Sequence, residues 1–178
     1  ARIAQAMGMM VLACKRRPDV RHETGYRVPD TGDPEGKIPQ AWFGIEQLPE
    51  MLKRTDVAVI ALPQTPATQG LIGKRELRAL PRHAYLVNVG RGPVVNEAAL
   101  IACLKAGRLA GAALDMFETE PLPSESPLWK FPNVLIMPHI ASWTNTQALR
   151  ASEVLIENLS RDLHGRPLLN LIDVKQMY

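Results

Sequence analysis

The chain has 178 residues, 46% hydrophobic and 22% charged, a composition that indicates a folded domain with one sizeable core and excludes a disordered chain. The formal charge of +3 is small and no apolar run is as long as a membrane span, so neither nucleic acid nor a membrane is expected as a partner. Cys14 and Cys103 lie in apolar segments without disulfide or metal-site spacing, which favours a reducing, cytoplasmic setting and no metal.

The start of the chain combines regular elements with a long irregular segment. Residues 1–7 predict a helix that Gly8 ends, since glycine is the usual residue just past a helix. Residues 9–14 form a short apolar run, which predicts a buried strand. Residues 17–43 carry most of the Pro, Gly and Asp punctuation, Pro29-Asp30 included, and predict a long loop.

From residue 45 onward, strands and short helices alternate. The predicted helices span 45–53, 74–80, 97–106 and 146–163, and the predicted strands span 57–62, 85–89, 111–116 and 134–137. This alternation predicts an α/β fold whose parallel sheet is covered by helices on both faces. Ligands bind at the carboxyl ends of such strands, and polar residues follow each of these predicted strands.

Three ordered motifs stand at those strand ends. They are LVNVGRG at 86–92 with VNEAAL at 95–100, GAALDMFETEPLP at 111–123, and MPHIAS at 137–142. With these motifs, and with PLW at 127–129 and PNV at 132–134, the sequence resembles the D-2-hydroxyacid dehydrogenases over about residues 1–170. That family includes glyoxylate and hydroxypyruvate reductases and phosphoglycerate dehydrogenase.

The resemblance implies a Rossmann-like, doubly wound parallel sheet. Residues 1–145 would form an incomplete dinucleotide-binding domain that carries the catalytic residues, and residues 146–178 a C-terminal helix and tail leading back to a substrate domain. The family's Gly-x-Gly-x-x-Gly turn and most of its substrate domain would precede Ala1, so the chain is expected to be the remainder of a protein roughly twice this size. By itself it is expected to bind dinucleotide poorly and to be inactive.

The resemblance assigns catalytic roles to three residues. Arg91 would grip the substrate carboxylate, because its planar fork can bind a carboxylate through two hydrogen bonds. His139 would donate a proton to the carbonyl oxygen as hydride arrives, and Glu120 would orient His139 and favour the imidazolium by opposite charge. The neighbouring Glu118 is expected to be solvated. The alternative for Arg91 is a surface arginine in a turn, and the alternative for His139 is a histidine that only caps a strand.

The implied cofactor is NADP(H) in preference to NAD(H). Where NAD-preferring members carry an acid, this chain has Lys15, Arg16 and Arg17, which either bind a 2′-phosphate or form a solvated charge run. Asp115 would face the nicotinamide, with bonding to local backbone as its alternative. The other expected cofactor contacts are Leu62 and Pro63 on the adenine side, Val89 and Gly90 at the nicotinamide ribose, Ala141 and Ser142 at the carboxamide, and Arg91 and His139 beside the reacting atoms.

The leading function is therefore reduction of a small 2-keto acid, of the glyoxylate or hydroxypyruvate type, to its D-2-hydroxy acid. A dinucleotide-sensing binding module similar to the transcriptional corepressors of this fold stays open, as does an inactive truncated remnant. By resemblance, the enzyme is expected to form a homodimer. Trp143 follows His139 closely and either reaches the substrate pocket or packs in a core or an interface.

Overall fold

The structure is a computed structural model that describes residues 1–22, 26–28 and 31–174. The chain divides into two compact units, one with residues 1–45 and the C-terminal segment from residue 143, the other with residues 46–142. The domain boundary expected after residue 145 stays a prediction. Among the described residues, no helix combines the length and the apolar character needed to cross a bilayer.

The predicted helices and strands are present, most of them shorter by one or two residues than expected. The strands are β1 (Leu12–Cys14), β2 (Ala41–Phe43), β3 (Val57–Ile60), β4 (Tyr85–Asn88), β5 (Gly111–Leu114) and β6 (Val134–Ile136). The helices are α1 (Arg2–Ala6), α2 (Leu48–Leu52), α3 (Lys74–Ala79), α4 (Glu97–Lys105) and α5 (Gln147–Leu163), with short 3₁₀ helices at Ile45–Gln47, Gly92–Val94 and Pro127–Lys130. Gly8, just past α1, has a φ of +81°, as predicted for a glycine that ends a helix.

The second unit is built on a parallel sheet of four strands in the order β3-β4-β5-β6. Helices alternate with these strands, which confirms the predicted α/β fold. Ile60 and Leu86 are buried on one face of the sheet, and Leu77 of α3 and Leu100 of α4 are buried with them to form the core. On the other face, Val59, Tyr85 and Leu135 are at least half exposed, so the helical cover predicted for both faces is present on only one face in the described part of the chain.

The segment predicted as a loop, 17–43, ends earlier than expected. Its last three residues form β2, which pairs in parallel with β1 and places Trp42 opposite Ala13. An aromatic residue such as Trp42 suits a strand, but the partner strand lies far away in sequence, so local punctuation alone does not indicate the pairing. Pro29 and Asp30, on which part of the loop prediction rests, lie outside the described residues.

Two glycines let the loops at the carboxyl ends of β3, β4 and β5 pack together. A Cβ atom at Gly90 would lie 2.7 Å from the carbonyl oxygen of Leu62, and one at Gly92 would overlap the carbonyl oxygen of Phe117. Both approaches are closer than real Cβ contacts allow, so each position accepts only glycine while the backbones stay in place. The sheet therefore gathers its strand-end loops at one edge, where parallel α/β folds bind ligands.

Candidate active site

The loops after β5 and β6 bring an acid–base pair together. Nδ1 of His139 lies 2.7 Å from Oε2 of Glu120, which is hydrogen-bond distance. The His139 side chain is 45% exposed and that of Glu120 is 36% exposed, so a small molecule can reach the pair from solvent. With Nδ1 held by the carboxylate, Nε2 is the ring nitrogen left to exchange a proton with a ligand. The structure thus brings together the two residues predicted to handle the proton.

Glu120 is held at both carboxylate oxygens. The Phe117 N–H donates to Oε1 at 3.0 Å, while Oε2 contacts His139. Burial raises the pKa of Glu120, but the hydrogen bonds from His139 and Phe117 and the attraction of His139 outweigh burial and the repulsion of Asp115. The net pKa of Glu120 lies below its ordinary value, so this carboxylate is ionised at neutral pH.

His139 has an unusual backbone conformation, and Asp115 stabilises the peptides that follow it. The φ of His139 is +57°, in the left-handed region that residues with a Cβ atom seldom adopt. Asp115, only 4% exposed, accepts the Ile140 N–H at Oδ1 and the Ala141 N–H at Oδ2, each at 2.8 Å. Backbone in such a conformation persists where its surroundings hold it, and it is concentrated at functional sites. Asp115 therefore makes the local backbone contacts that were its alternative, and its contact with the nicotinamide stays a prediction.

Asn88 shapes the turn that presents Arg91. Asn88 ends β4 and is 1% exposed; its side chain accepts the Gly90 N–H at 3.1 Å and donates to the Arg91 carbonyl oxygen at 3.2 Å. The Arg91 side chain is exposed, and its Nη1 donates to the Gly90 carbonyl oxygen at 2.7 Å. A guanidinium has five N–H donors, so Arg91 keeps donors for a ligand carboxylate. Sequence reasoning missed Asn88, although a polar amide at the end of an apolar strand was an available signal.

Two glutamates join α4 to the loop that carries Glu120. The Glu97 N–H donates to Oε1 of Glu118 at 2.9 Å, and the Glu118 N–H donates to Oε2 of Glu97 at 3.2 Å. Burial raises the pKa of Glu97; the hydrogen bond from the Glu118 backbone opposes this increase and the charge of Glu118 adds to it. Glu118 is exposed, as predicted, but it also caps the first turn of α4, a role that the sequence did not reveal.

The remaining predicted cofactor residues of the second unit follow the same strand ends. These are Leu62 and Pro63 after β3, Val89 and Gly90 after β4, and Ala141 and Ser142 after β6. Gly90 is buried, whereas Val89, Pro63, Ala141 and Ser142 are exposed. Their assignment to a cofactor stays a prediction.

The predicted phosphate-binding cluster lies in the first unit. Lys15, Arg16 and Arg17 come directly after β1, and the Lys15 N–H donates to the Phe43 carbonyl oxygen at 3.1 Å, which extends the pairing of β1 with β2. Trp143, also in this unit, is 76% exposed and is therefore not a core residue of the described chain. Within the described ranges, no group of three or more His, Cys, Asp or Glu residues could hold a metal ion.

Residues 1–141 match the family described as D-isomer specific 2-hydroxyacid dehydrogenase, NAD binding domain. The chain therefore belongs to this family, and its four-stranded parallel sheet with flanking helices is part of a Rossmann-like nucleotide-binding fold.

Two curated relatives and one solved structure show the extent of the similarity. The chain is 44% identical over 140 residues to the glyoxylate reductase of Thermofilum pendens, covering 79% of this chain and 41% of that protein. It is 40% identical over 139 residues to glyoxylate/hydroxypyruvate reductase A of Klebsiella pneumoniae strain 342, covering 78% and 44%. Its structure is similar to that of the NADPH-dependent glyoxylate/hydroxypyruvate reductase of Sinorhizobium meliloti in complex with NADP and sulfate. The TM-score is 0.80 and the sequence identity 32%, and the match covers 100% of this chain and 52% of that one. The chain thus spans less than half the length of these two curated relatives.

Proposed function

We propose that the full-length protein reduces a small 2-keto acid, of the glyoxylate or hydroxypyruvate type, to its D-2-hydroxy acid with NAD(P)H. The observation that carries this proposal is the 2.7 Å contact between Nδ1 of His139 and Oε2 of Glu120, at the edge of the sheet where the strand-end loops meet. The relatives named as glyoxylate and hydroxypyruvate reductases support the substrate class.

The three predicted catalytic residues have two tasks, which are binding the charged carboxylate of the substrate and transferring a proton. Arg91 binds the carboxylate of the keto acid through its guanidinium fork and so fixes the carbonyl group. When bound, the cofactor supplies the hydride that adds to the carbonyl carbon. His139 donates the Nε2 proton to the carbonyl oxygen, so that C=O becomes CH–OH and the imidazole is left neutral. Glu120 holds Nδ1–H and stabilises the imidazolium before the transfer.

The residues present fit a dinucleotide that carries a 2′-phosphate, which favours NADP(H) and leaves NAD(H) possible. Three cations and no carboxylate occupy positions 15–17 directly after β1. The close approach of Gly90 to Leu62 leaves no room for a side chain at position 90, so the turn after β4 packs against the end of β3, where parallel α/β sheets bind ligands. The likeness to an NADPH-dependent enzyme solved with NADP supports the same choice. Lys15, Arg16 and Arg17 would bind the 2′-phosphate, Leu62 and Pro63 the adenine, Val89 and Gly90 the ribose of the nicotinamide, and Ala141 and Ser142 its carboxamide, with Asp115 beside them.

The test compares two histidines in the full-length protein that both contact a carboxylate at 2.8 Å or less. His139 contacts Glu120, and the exposed His83 contacts Asp56 at 2.8 Å. NADPH oxidation is followed with glyoxylate and with hydroxypyruvate in His139→Ala and His83→Ala. We expect His139→Ala to lose about 10²- to 10⁴-fold in kcat, the usual range for a general acid, and His83→Ala to keep the wild-type rate.

Cofactor binding by His139→Ala, measured by calorimetry, separates loss of chemistry from loss of fold. A His139→Ala protein that binds NADPH as wild type does, with kcat lowered by about 10²- to 10⁴-fold, supports the proposal. If His139→Ala turns over as fast as wild type, another group or water is the acid. If the wild-type protein binds NADPH and reduces no 2-keto acid, the enzymatic proposal fails and a dinucleotide-sensing role takes its place.

A further inference from the structure

The Lys15 ammonium lies over an aromatic ring. Its Nζ is 5.3 Å from the centroid of the Trp42 ring, within the range of a cation–π interaction. The parallel register explains why the two side chains meet. Trp42 pairs with Ala13, and Lys15 follows Ala13 by two residues, so both side chains project from the same face of the β1–β2 pair.

The indole of Trp42 packs against the backbone at Gly36. A Cβ atom at Gly36 would lie 3.1 Å from Cζ2 of Trp42 and 2.7 Å from Cβ of Arg21, so the backbone at Gly36 passes close to the ring. Nε1 of Trp42 is buried and has no hydrogen-bond partner among the described residues. One edge of the ring is therefore packed while its face carries Lys15, and its buried polar atom makes no hydrogen bond among the described residues that would explain its choice over another aromatic residue.

A ring face attracts a cation without using its N–H donors. The three donors of the Lys15 ammonium have no hydrogen-bond or ion-pair partner in the part of the chain that the structure describes. Lys37 of the same unit differs, because its ammonium pairs with the carboxylate of Glu35. A carboxylate partner neutralises an ammonium and repels a phosphate, whereas an aromatic platform does neither.

We propose that Trp42 is a positioning residue for cofactor choice, which holds the Lys15 ammonium by its ring face where Lys15 binds the 2′-phosphate of NADP(H). This inference rests on the proposed use of Lys15, Arg16 and Arg17 for that phosphate. It adds a residue outside the basic cluster to the determinants of NADP(H) preference. Discrimination between NADP(H) and NAD(H) then depends on an aromatic ring of the neighbouring strand as well as on the charges after β1.

The test measures binding of two nucleotides to the full-length protein by calorimetry, so that it does not depend on turnover. The first, 2′,5′-ADP, carries the 2′-phosphate, and the second, 5′-AMP, lacks it and reports damage to the rest of the site. Lys15→Ala should weaken 2′,5′-ADP by about tenfold or more, as expected for loss of a charge-assisted contact, and leave 5′-AMP unchanged. Lys37→Ala is the matched control, and it should change neither affinity.

Three variants separate the ring from the charge. Trp42→Leu should weaken 2′,5′-ADP by about two- to fivefold, the range of an exposed cation–π contact, with 5′-AMP unchanged. Trp42→Phe keeps a ring face and removes the unpaired N–H, so its affinity should stay close to wild type. In the Lys15→Ala background, Trp42→Leu should have no further effect, since the cation it positions is gone. If Trp42→Leu fails to fold, Trp42→Met, whose flexible side chain fills an irregular space, takes its place.

The outcomes distinguish this inference from the cofactor proposal beneath it. If Lys15→Ala leaves 2′,5′-ADP binding unchanged, the cation does not bind the phosphate, and both the cofactor proposal and the role of Trp42 are overturned. If Lys15→Ala weakens 2′,5′-ADP while Trp42→Leu does not, or weakens 5′-AMP equally, only the role of Trp42 is overturned. Additive losses in the double variant would also overturn it, because the ring would then act independently of Lys15.

Discussion

Asp115 and Ala141 are joined by a 2.8 Å hydrogen bond from the Ala141 N–H to Oδ2 of the buried carboxylate. With the bond from Ile140 to Oδ1, it anchors the peptides that directly follow His139. The place of the histidine is thus fixed from the neighbouring strand, and changes at Asp115 should reach the chemistry through the backbone.

Asp115→Asn should destabilise the fold and slow the reaction together. Asparagine offers one acceptor oxygen, so one of the two amides would face an NH₂ group and lose its partner. An unpaired buried donor costs about 1–3 kcal/mol of unfolding free energy, and the looser loop should lower kcat. Denaturant unfolding and steady-state kinetics measure the two effects. Asp56→Asn, at an exposed carboxylate, is the control; a change confined to the KM for NADPH would instead make Asp115 a cofactor residue.

Arg91→Lys should lose substrate affinity and rate together, because a point charge replaces the planar fork that we propose binds the carboxylate. The measurement is steady-state kinetics with glyoxylate and hydroxypyruvate at saturating NADPH. Arg82→Lys, an exposed position outside the site, should behave as wild type. Unchanged kinetic constants in Arg91→Lys would remove Arg91 from the substrate site.

Removing the charge of Glu120 should shift the pH profile. The pKa of Glu120 lies below its ordinary value, so its carboxylate is charged across the neutral range. Glu120→Gln keeps an acceptor for a hydrogen bond but removes the charge that favours the protonated imidazole. The proposed reduction draws its proton from that imidazole, so without the Glu120 charge the basic limb of kcat/KM should move toward acid. Activity should be partly recovered below neutrality.

The control for this profile is Glu125→Gln, an exposed glutamate whose carboxylate accepts only the hydroxyl of Ser124 among the hydrogen bonds of the described residues. Its pH profile should match that of wild type. A Glu120→Gln profile that is scaled down without any shift would reduce Glu120 to a residue that fixes the loop.

Glu97→Gln should gain stability relative to wild type as the pH rises. A carboxylate with a raised folded-state pKa is harder to ionise in the fold than in the unfolded chain, so wild-type stability falls as pH rises through that pKa. Glutamine cannot ionise and still accepts the Glu118 N–H. The Tm difference between Glu97→Gln and wild type should therefore move in favour of the variant between about pH 4 and pH 7. Glu97→Ala lacks the acceptor and should be less stable than wild type at both pH values. A Tm difference between Glu97→Gln and wild type that does not change with pH would contradict the raised pKa of Glu97.

Local patterns were enough to predict the α/β order of elements, and the resemblance carried by short motifs indicated the candidate catalytic residues, whose roles stay a prediction. The periodicity of apolar residues that distinguishes strands from helices extends over only a few residues. The motifs that contain Arg91, Glu120 and His139 are also short and contiguous. Because parallel strands end at one edge, their order along the chain also indicates that the loops after β5 and β6 meet.

The supporting contacts needed the three-dimensional register. Asn88 bonds within its own turn, which its sequence neighbours suggest only weakly, and the exchange between Glu97 and Glu118 joins α4 to the loop after β5. The platform of Trp42 beneath Lys15 depends on pairing β1 with β2, and a shift by one residue would turn the ring to the opposite face. The contact between Glu97 and Glu118 and the one between Trp42 and Lys15 join residues far apart in the sequence, so no local spacing encodes them.

The interlock of Gly92 with Phe117 sets a limit for protein engineers who wish to redesign the turn that carries Arg91. Saturation libraries across the arginine turn would lose every clone in which position 92 carries a side chain, because its first carbon would overlap the Phe117 carbonyl oxygen. Gly90 imposes the same restriction against Leu62. Useful substitutions at this turn are therefore confined to position 91 and to the residues outside the two glycines, and the backbone must stay unchanged.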